Sequence, residues 1–249
     1  MMKKKLTKCT CFTIDIEQGY LGNNQKWWFN QNIPGAYNIF NLDNFYPQAY
    51  FKEDHVNANE IRNYVNAIKK YYKIITGKNL TKVLEAGSAA GWFTKGFLDK
   101  GIDITGIEGA QAGIELCIKR GIPKKKIIHH DLRDPLKLNK KFDIVLCTEV
   151  AEHIEPPFSS QLILNLVTHS NLIWFSFQQP GSDNAHYHHP NEQPLTFWQN
   201  LFAYYGFGLL RIPDDVRKSI ASRGEYIAYS KEKIKIKPNV NYMKLIQIS

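Results

Sequence analysis

The 249-residue sequence predicts an α/β fold: a doubly wound, mostly parallel seven-stranded sheet with the last strand antiparallel. Three observations predict it. From about Asn57 onward, short apolar runs rich in β-branched residues alternate with helical patterns, as in a parallel sheet covered on both faces. One of those runs ends in a turn of small residues that opens directly onto a helix. The last two runs are too close in sequence to accommodate a crossover helix, so they pair as antiparallel neighbours at a sheet edge.

The elements follow in order. Ile61, Tyr64, Val65, Ile68, Tyr72 and Ile75 keep helical spacing, and Gly77 supplies a stop. Lys82 to Glu85 is a strand and Gly91 to Lys100 a helix. Ile102 to Ile107 is a strand, followed by a helix over Ala110 to Arg120 that Gly121 closes. Lys126 to His129 and Phe142 to Cys147 are further strands, Gln161 to Thr168 a helix, and Leu172 to Phe177 the fifth strand. Leu195 to Tyr205 is a helix closed by Gly206, with strands at Phe207 to Ile212 and Tyr226 to Ser230. Phe197, Trp198, Phe202 and Tyr205 share helical spacing, and most belong in the core. Residues 57–233 thus form one domain. An aromatic-rich extension, 1–56, precedes it as packing or as a lid, and a basic tail, 234–249, follows.

Composition excludes several classes. Hydrophobic residues at 43% and charged residues at 22% are those of an ordinary globular domain. No apolar run approaches the roughly 18–20 residues that span a bilayer. Lys3-Lys4-Lys5 lacks the apolar stretch of a signal peptide, so a cytoplasmic protein is expected. The four cysteines form no disulfide framework, and Cys9 and Cys11 have no second pair with which to build a structural zinc site. The net charge of +9 concentrates at the two ends, in Lys3, Lys4, Lys5 and Lys8 and in Lys231, Lys233, Lys235 and Lys237. Such ends favour salt-sensitive contact with RNA, although solvated termini account for them more simply.

The small-residue turn is Glu85-Ala86-Gly87-Ser88-Ala89-Ala90-Gly91. Its spacing is not the dinucleotide fingerprint G-x-G-x-x-G. Glu85, two residues before the first glycine, would repel a pyrophosphate but suits a ligand bearing ammonium and sulfonium charges. Glu108 follows the second strand about twenty residues on, where a carboxylate takes ribose hydroxyls. Asp131 follows the third strand, placed to accept from an adenine amino group, with Leu132 beside the ring. These segments, together with Gly106-Ile107-Glu108, His130-Asp131-Leu132 and Phe142 to Ile154, resemble the class I S-adenosylmethionine-dependent methyltransferases. The resemblance implies a doubly wound methyltransferase fold. It places Glu85, Ala86, Gly87, Ser88 and Gly91 at the methionine moiety, Glu108 at the ribose, Asp131 and Leu132 at the adenine, and Thr148 at the pocket. Ala89 stands where that family often carries glycine, and a slight shift of the loop is expected.

The fourth strand runs into Thr148-Glu149-Val150-Ala151-Glu152-His153, and on a helix Glu149, Glu152 and His153 would share a face. A second histidine group, His186, His188 and His189, follows the fifth strand. A histidine can take the proton of a hydroxyl acceptor, with His153 or His189 as base and Glu149 beside them. Glu149, Glu152, His153 and His189 would also suit Mg²⁺ or Mn²⁺, and they resemble the metal site of small-RNA 3′-terminal 2′-O-methyltransferases. His189 to Gln193 resembles methyltransferases of surface-polysaccharide synthesis, which implies a sugar or glycan acceptor; capping of the next helix by Asn191 to Gln193 is the alternative. His129, His130 and His169 are expected to be structural or surface residues. The expected activity is O-methyl transfer to a small-molecule or glycan hydroxyl. RNA 2′-O-methylation and a non-catalytic cofactor-binding scaffold are the alternatives.

Overall fold

The computed structural model describes residues 42–46, 48–52, 57–180, 189–212, 225–235 and 244–245. The two segments before the main domain are short helices, α1 (Leu42–Phe45) and α2 (Gln48–Lys52). The long helix α3 (Ala58–Thr76) begins in a capping box, with Asn57 and Glu60 each bonding the other's backbone N–H. It ends on Gly77 in the left-handed region, as the sequence predicts.

Then follow β1 (Lys82–Ala86), α4 (Trp92–Asp99), β2 (Asp103–Glu108), α5 (Gln111–Lys119), β3 (Ile127–His129) and β4 (Ile144–Cys147). After these come α6 (Ser159–Val167), β5 (Leu172–Ser176), α7 (Leu195–Tyr204), β6 (Phe207–Arg211), β7 (Glu225–Ser230) and β8 (Lys244–Leu245). The sheet order is β3-β2-β1-β4-β5-β7-β6-β8. Strands β1 to β5 pair in parallel, and β7 runs antiparallel to both β5 and β6. The reversed seventh strand therefore occurs where the short connection requires it. The eighth, a two-residue bridge from Lys244 and Leu245 to Arg211 and Leu210, falls within the segment expected to be only a basic tail.

Alternation along the strands divides the core in two. Leu84, Val145, Ile173 and Phe175 face α6 and α7, where Trp198 and Phe202 are fully buried. Val83, Ile104, Ile144 and Trp174 face α3 and α4, packing on Tyr64, Ile68, Tyr71 and Phe97. Trp174 meets Tyr64 edge-on at 5.8 Å between ring centroids. Glu85 shares the parity of Val83, so its side chain goes beneath α4. At the opposite end of the strands, Asp143 accepts from Thr81 N, Thr81 Oγ1 and Lys82 N, which pins the start of β1 to β4. No helix among the described residues is long and apolar enough to cross a membrane.

Phe175 touches Phe177, Trp198 and Phe202 within 5.6 Å of each ring centroid. Phe175→Ala is expected to cost about 3–5 kcal/mol in urea unfolding. Tyr204→Ala, at a position 82% exposed, should stay within about 0.5 kcal/mol.

Candidate active site

Parallel strands end on one edge, and here that edge carries the acids. Glu85 pairs in register with Gly106, and Glu108 with His129. The turn after β1 brings its backbone back onto β2, with Gly87 N and Ser88 N both donating to Ile107 O at 3.0 and 2.9 Å. Gly87 has φ +80, and a Cβ there would lie 2.5 Å from Val150. Ala89 also adopts a left-handed φ of +46. This strained position is where glycine is the easier residue, and a methyl side chain still fits.

Glu108 accepts from Ala89 N at 2.7 Å and from Ala110 N at 2.8 Å, tying the small-residue turn to the start of α5. Gly113 makes room for it, since a Cβ there would be 2.9 Å from Glu108 Cγ. Burial raises Glu108 to about 7 against those backbone bonds. Glu85 is buried and accepts from Thr94 Oγ1 of α4. Burial, with Glu108 adding repulsion, raises it to about 8. These two carboxyls therefore keep their protons to a higher pH than ordinary carboxyls do, and a cation placed beside them would favour their ionised forms.

Asp131 is engaged by a neighbouring side chain. Its two carboxylate oxygens accept from Arg133 at 2.6 to 3.0 Å, and Arg133 also reaches Glu155 at 2.9 Å. The Asp131–Arg133–Glu155 chain links the loop after β3 to the loop after β4, so any adenine contact by Asp131 shares the carboxylate with Arg133. Leu132 is buried in the core. Thr148 stands partly exposed beyond β4, while Ala86, Ser88 and Gly91 are buried in the turn.

The loop after β4 is not a regular helix. Ala151–His153 is a single 3₁₀ turn, and Glu149 has a left-handed φ of +52. For that reason Glu149, Glu152 and His153 do not form one helical face. Glu152, His153 and His189 have potential ligand atoms within 4.8 Å of one another; Glu149, which is exposed, is not a member of that trio. Glu152 is buried, and its Oε2 has no hydrogen-bond partner among the described residues. Burial first, and Glu149 second, hold its pKa well above the usual carboxylate range. The His153 and His189 rings meet edge-on at 4.6 Å. His189 Nδ1 lies 3.2 Å from Glu192 Oε1.

Asn191 does not cap α7, which has no side-chain cap. It instead ties the two histidine-bearing loops together, donating to Ser159 Oγ at 2.8 Å and to Ala151 O at 3.3 Å, while its N–H reaches Glu152 O. His186 and His188 lie outside the described residues, as do Cys9, Cys11 and the N-terminal lysines. His169 is buried and bonded to Asn165 O and Leu138 N, whereas His129 and His130 bond backbone carbonyls at the surface; all three have the structural or surface roles expected.

The aromatic-rich extension, expected as packing or as a lid, supplies one wall. Helices α1 and α2 lie across the small-residue turn, with Phe51 buried against Ala90 and Ala110. Tyr46 Oη is 3.2 Å from His153 Nδ1, and the Tyr50 ring stands edge-on to both Tyr46 and His153. The aromatic richness of this segment was visible, but its irregular period gave no register.

The candidate site thus lies where the ligands of open α/β sheets bind, at the carboxyl edge of the parallel strands. Residues 57–211 match the sequence profile described as a methyltransferase domain, and the chain belongs to that family. It is 29% identical over 146 residues to a ubiquinone biosynthesis O-methyltransferase of Rickettsia canadensis, covering 57% of this chain and 52% of the relative. The corresponding enzyme of Haemophilus ducreyi is 30% identical over 121 residues, covering 45% and 49%. The chain thus spans about half the length of the curated relatives it matches. Among solved structures, S-adenosylmethionine-bound amino pentose methyltransferase from Micromonospora echinaspora superposes with a TM-score of 0.57 at 13% identity, covering 75% of this chain and 96% of that one. Magnesium protoporphyrin IX methyltransferase from Synechocystis gives 0.54 at 14% identity, covering 75% and 93%.

Folding must keep protons on Glu85 and Glu108 that the unfolded chain releases above its ordinary carboxylate range. Stability from these groups is therefore present at low pH and lost as pH rises towards about 8. Thermal melts from pH 5 to 8 should show a falling midpoint, with a shallower fall in Glu85→Gln. An equal slope in the variant would exclude Glu85 as a source.

Proposed function

We propose that this methyltransferase uses S-adenosylmethionine and transfers its methyl group to a hydroxyl of a small-molecule acceptor. The observation that supports this reading is a single one: the acid-lined glycine turn and the paired histidines share one strand edge. The donor set fits the cofactor. Glu85 and Glu108 are buried acids that accept from a threonine hydroxyl and from backbone N–H groups, and the sulfonium and ammonium of the cofactor would favour their ionised forms. Glu85, Ala86, Gly87, Ser88 and Gly91 would hold the methionine end, Glu108 the ribose, Asp131 and Leu132 the adenine, and Thr148 the side nearest the acceptor.

The acceptor oxygen attacks the methyl carbon, the carbon–sulfur bond breaks, and the hydroxyl proton passes to an imidazole. The products are a methyl ether and S-adenosylhomocysteine. His153 and His189 are the groups positioned to take that proton, and the aromatic helices packed beside them would limit the access of water.

Acidity ranks the acceptors. An imidazole of pKa about 6.5 faces a phenol near 10 far more favourably than an aliphatic alcohol, whose pKa is closer to that of water at about 15.7. A phenolic hydroxyl is therefore the first choice, in keeping with the O-methyltransferases named among the relatives. A sugar or glycan hydroxyl is the second reading, again with His153 or His189 as base, and a metal there would make its proton easier to remove. Glu152, His153 and His189 would hold that ion, and the unpartnered Oε2 of Glu152 favours it. Two imidazoles suit Mn²⁺ or Zn²⁺ better than Mg²⁺. Bound there, it would act as a Lewis acid on the hydroxyl.

Calorimetry should detect S-adenosylmethionine binding in the native protein and none in Gly87→Val, whose side chain meets Val150 at a left-handed position. Unchanged binding would remove the pocket. Labelled methyl transfer to phenols, nucleotide sugars and short RNAs, with and without EDTA, ranks the acceptors. Transfer to a phenol that survives EDTA and falls about 10²–10⁴-fold in His153→Ala or His189→Ala is expected. Transfer confined to sugars and restored by Mn²⁺ would install the second reading.

A further inference from the structure

The helices α1 and α2 are fastened to the cofactor side of the edge. Ala110, the cap before helix α5, has no side-chain acceptor to offer the helix's free N–H groups, and Asp43 of α1 fills the gap by accepting from Gln111 N at 2.6 Å. Leu42 occupies the space over Gly109, where a Cβ would come within 2.4 Å of it. Gln48 reaches Glu115 at 3.3 Å. Phe51 fills the gap over Ala90 and Ala110. Between these anchors, Tyr46 projects to the other side of the site and meets His153. Its ring packs on Tyr50 at 4.9 Å and on His153 at 5.9 Å between centroids, and its hydroxyl oxygen is 3.2 Å from Nδ1.

We propose that Tyr46 is a positioning residue for methyl transfer: it fixes the orientation and tautomer of His153 from a helix anchored on the cofactor loop. A neutral imidazole carries one N–H. Tyr46 Oη and Nδ1 can share a hydrogen in either direction; in the proposed one Nδ1–H donates to Tyr46 Oη, which leaves the lone pair on Nε2, the form able to take a proton from an acceptor. The opposite tautomer puts a hydrogen on Nε2 and removes that capacity. His189 is held in a corresponding way, through Nδ1 to Glu192. Such outer partners set which ring nitrogen does the chemistry. The proposal rests on the reading that His153 belongs to the reaction centre. It adds that a residue outside the matched domain completes that centre.

The test uses Tyr46→Phe, which keeps the ring packing and removes only the hydroxyl. Nitrogen-15 spectra of the imidazoles in the full-length protein treated with EDTA report the tautomer, with His153→Gln assigning the signal; no acceptor is needed. Native protein should show His153 protonated at Nδ1, and Tyr46→Phe should shift the signal towards the other tautomer. With the best hydroxyl acceptor from the panel above, kcat should fall roughly tenfold while the KM for S-adenosylmethionine stays within a factor of two. Tyr204→Phe, at a position 82% exposed, should leave both readouts in place. A purely packing role for Tyr46 predicts no change in Tyr46→Phe, and that result overturns the proposal. A changed tautomer with undiminished kcat overturns it too. Loss of activity in every variant together with an intact spectroscopic effect would refute the proposed reaction and, with it, the catalytic meaning given to Tyr46.

Discussion

Everything at this site follows from one constraint. Parallel strands must end together, so whatever side chains terminate them are forced into each other's company. In this chain those side chains are carboxyls, and the apolar layers above and below deny them water. Glu85 and Glu108 respond by holding protons and by recruiting Thr94 Oγ1 and the N–H groups of Ala89 and Ala110. The electrostatic tension is set by the sheet, not by any single residue. The burial that raises both carboxyls acts on them together, because the register of β1 and β2 puts them side by side.

The framework was legible because it is periodic. Alternating apolar runs gave the strands, glycines gave the helix ends, and a connection too short for a crossover gave the reversed edge. The acids at strand ends could be placed because a strand end is a defined location. What the sequence concealed was side-chain traffic between loops. Arg133 claims Asp131, and Asn191 laces two loops instead of capping α7; neither bond follows from local spacing. The Glu149 to His153 run suggested a helix, but the backbone turns left-handed at Glu149 and tightens to 3₁₀, which removes that carboxylate from the group made by Glu152, His153 and His189. Helices α1 and α2 were hidden for a different reason. They are four and five residues long, too short to display a period.

Two non-glycine residues in the left-handed region, Ala89 and Glu149, both lie on loops at the strand edge. Each costs on the order of 1–2 kcal/mol relative to relaxed backbone. Strain of this kind survives when surrounding bonds over-determine it. Ala89 is held by its N–H to Glu108, and Glu149 by its N–H to Ser176 Oγ and the Ser176 carbonyl. The sheet and its two cores thus meet the cost of loops shaped for function.

The little strand β8 has a meaning of its own. Without Lys244 and Leu245, the outer flank of β6 would present open amides and carbonyls at Leu210 and Arg211. Such an unguarded flank invites a stranger's backbone to zip on. A two-residue stopper, one of them a lysine, is long enough to occupy the template and too short to become a new one. Removing those two residues is therefore expected to open β6 to pairing with another backbone before it disturbs either core.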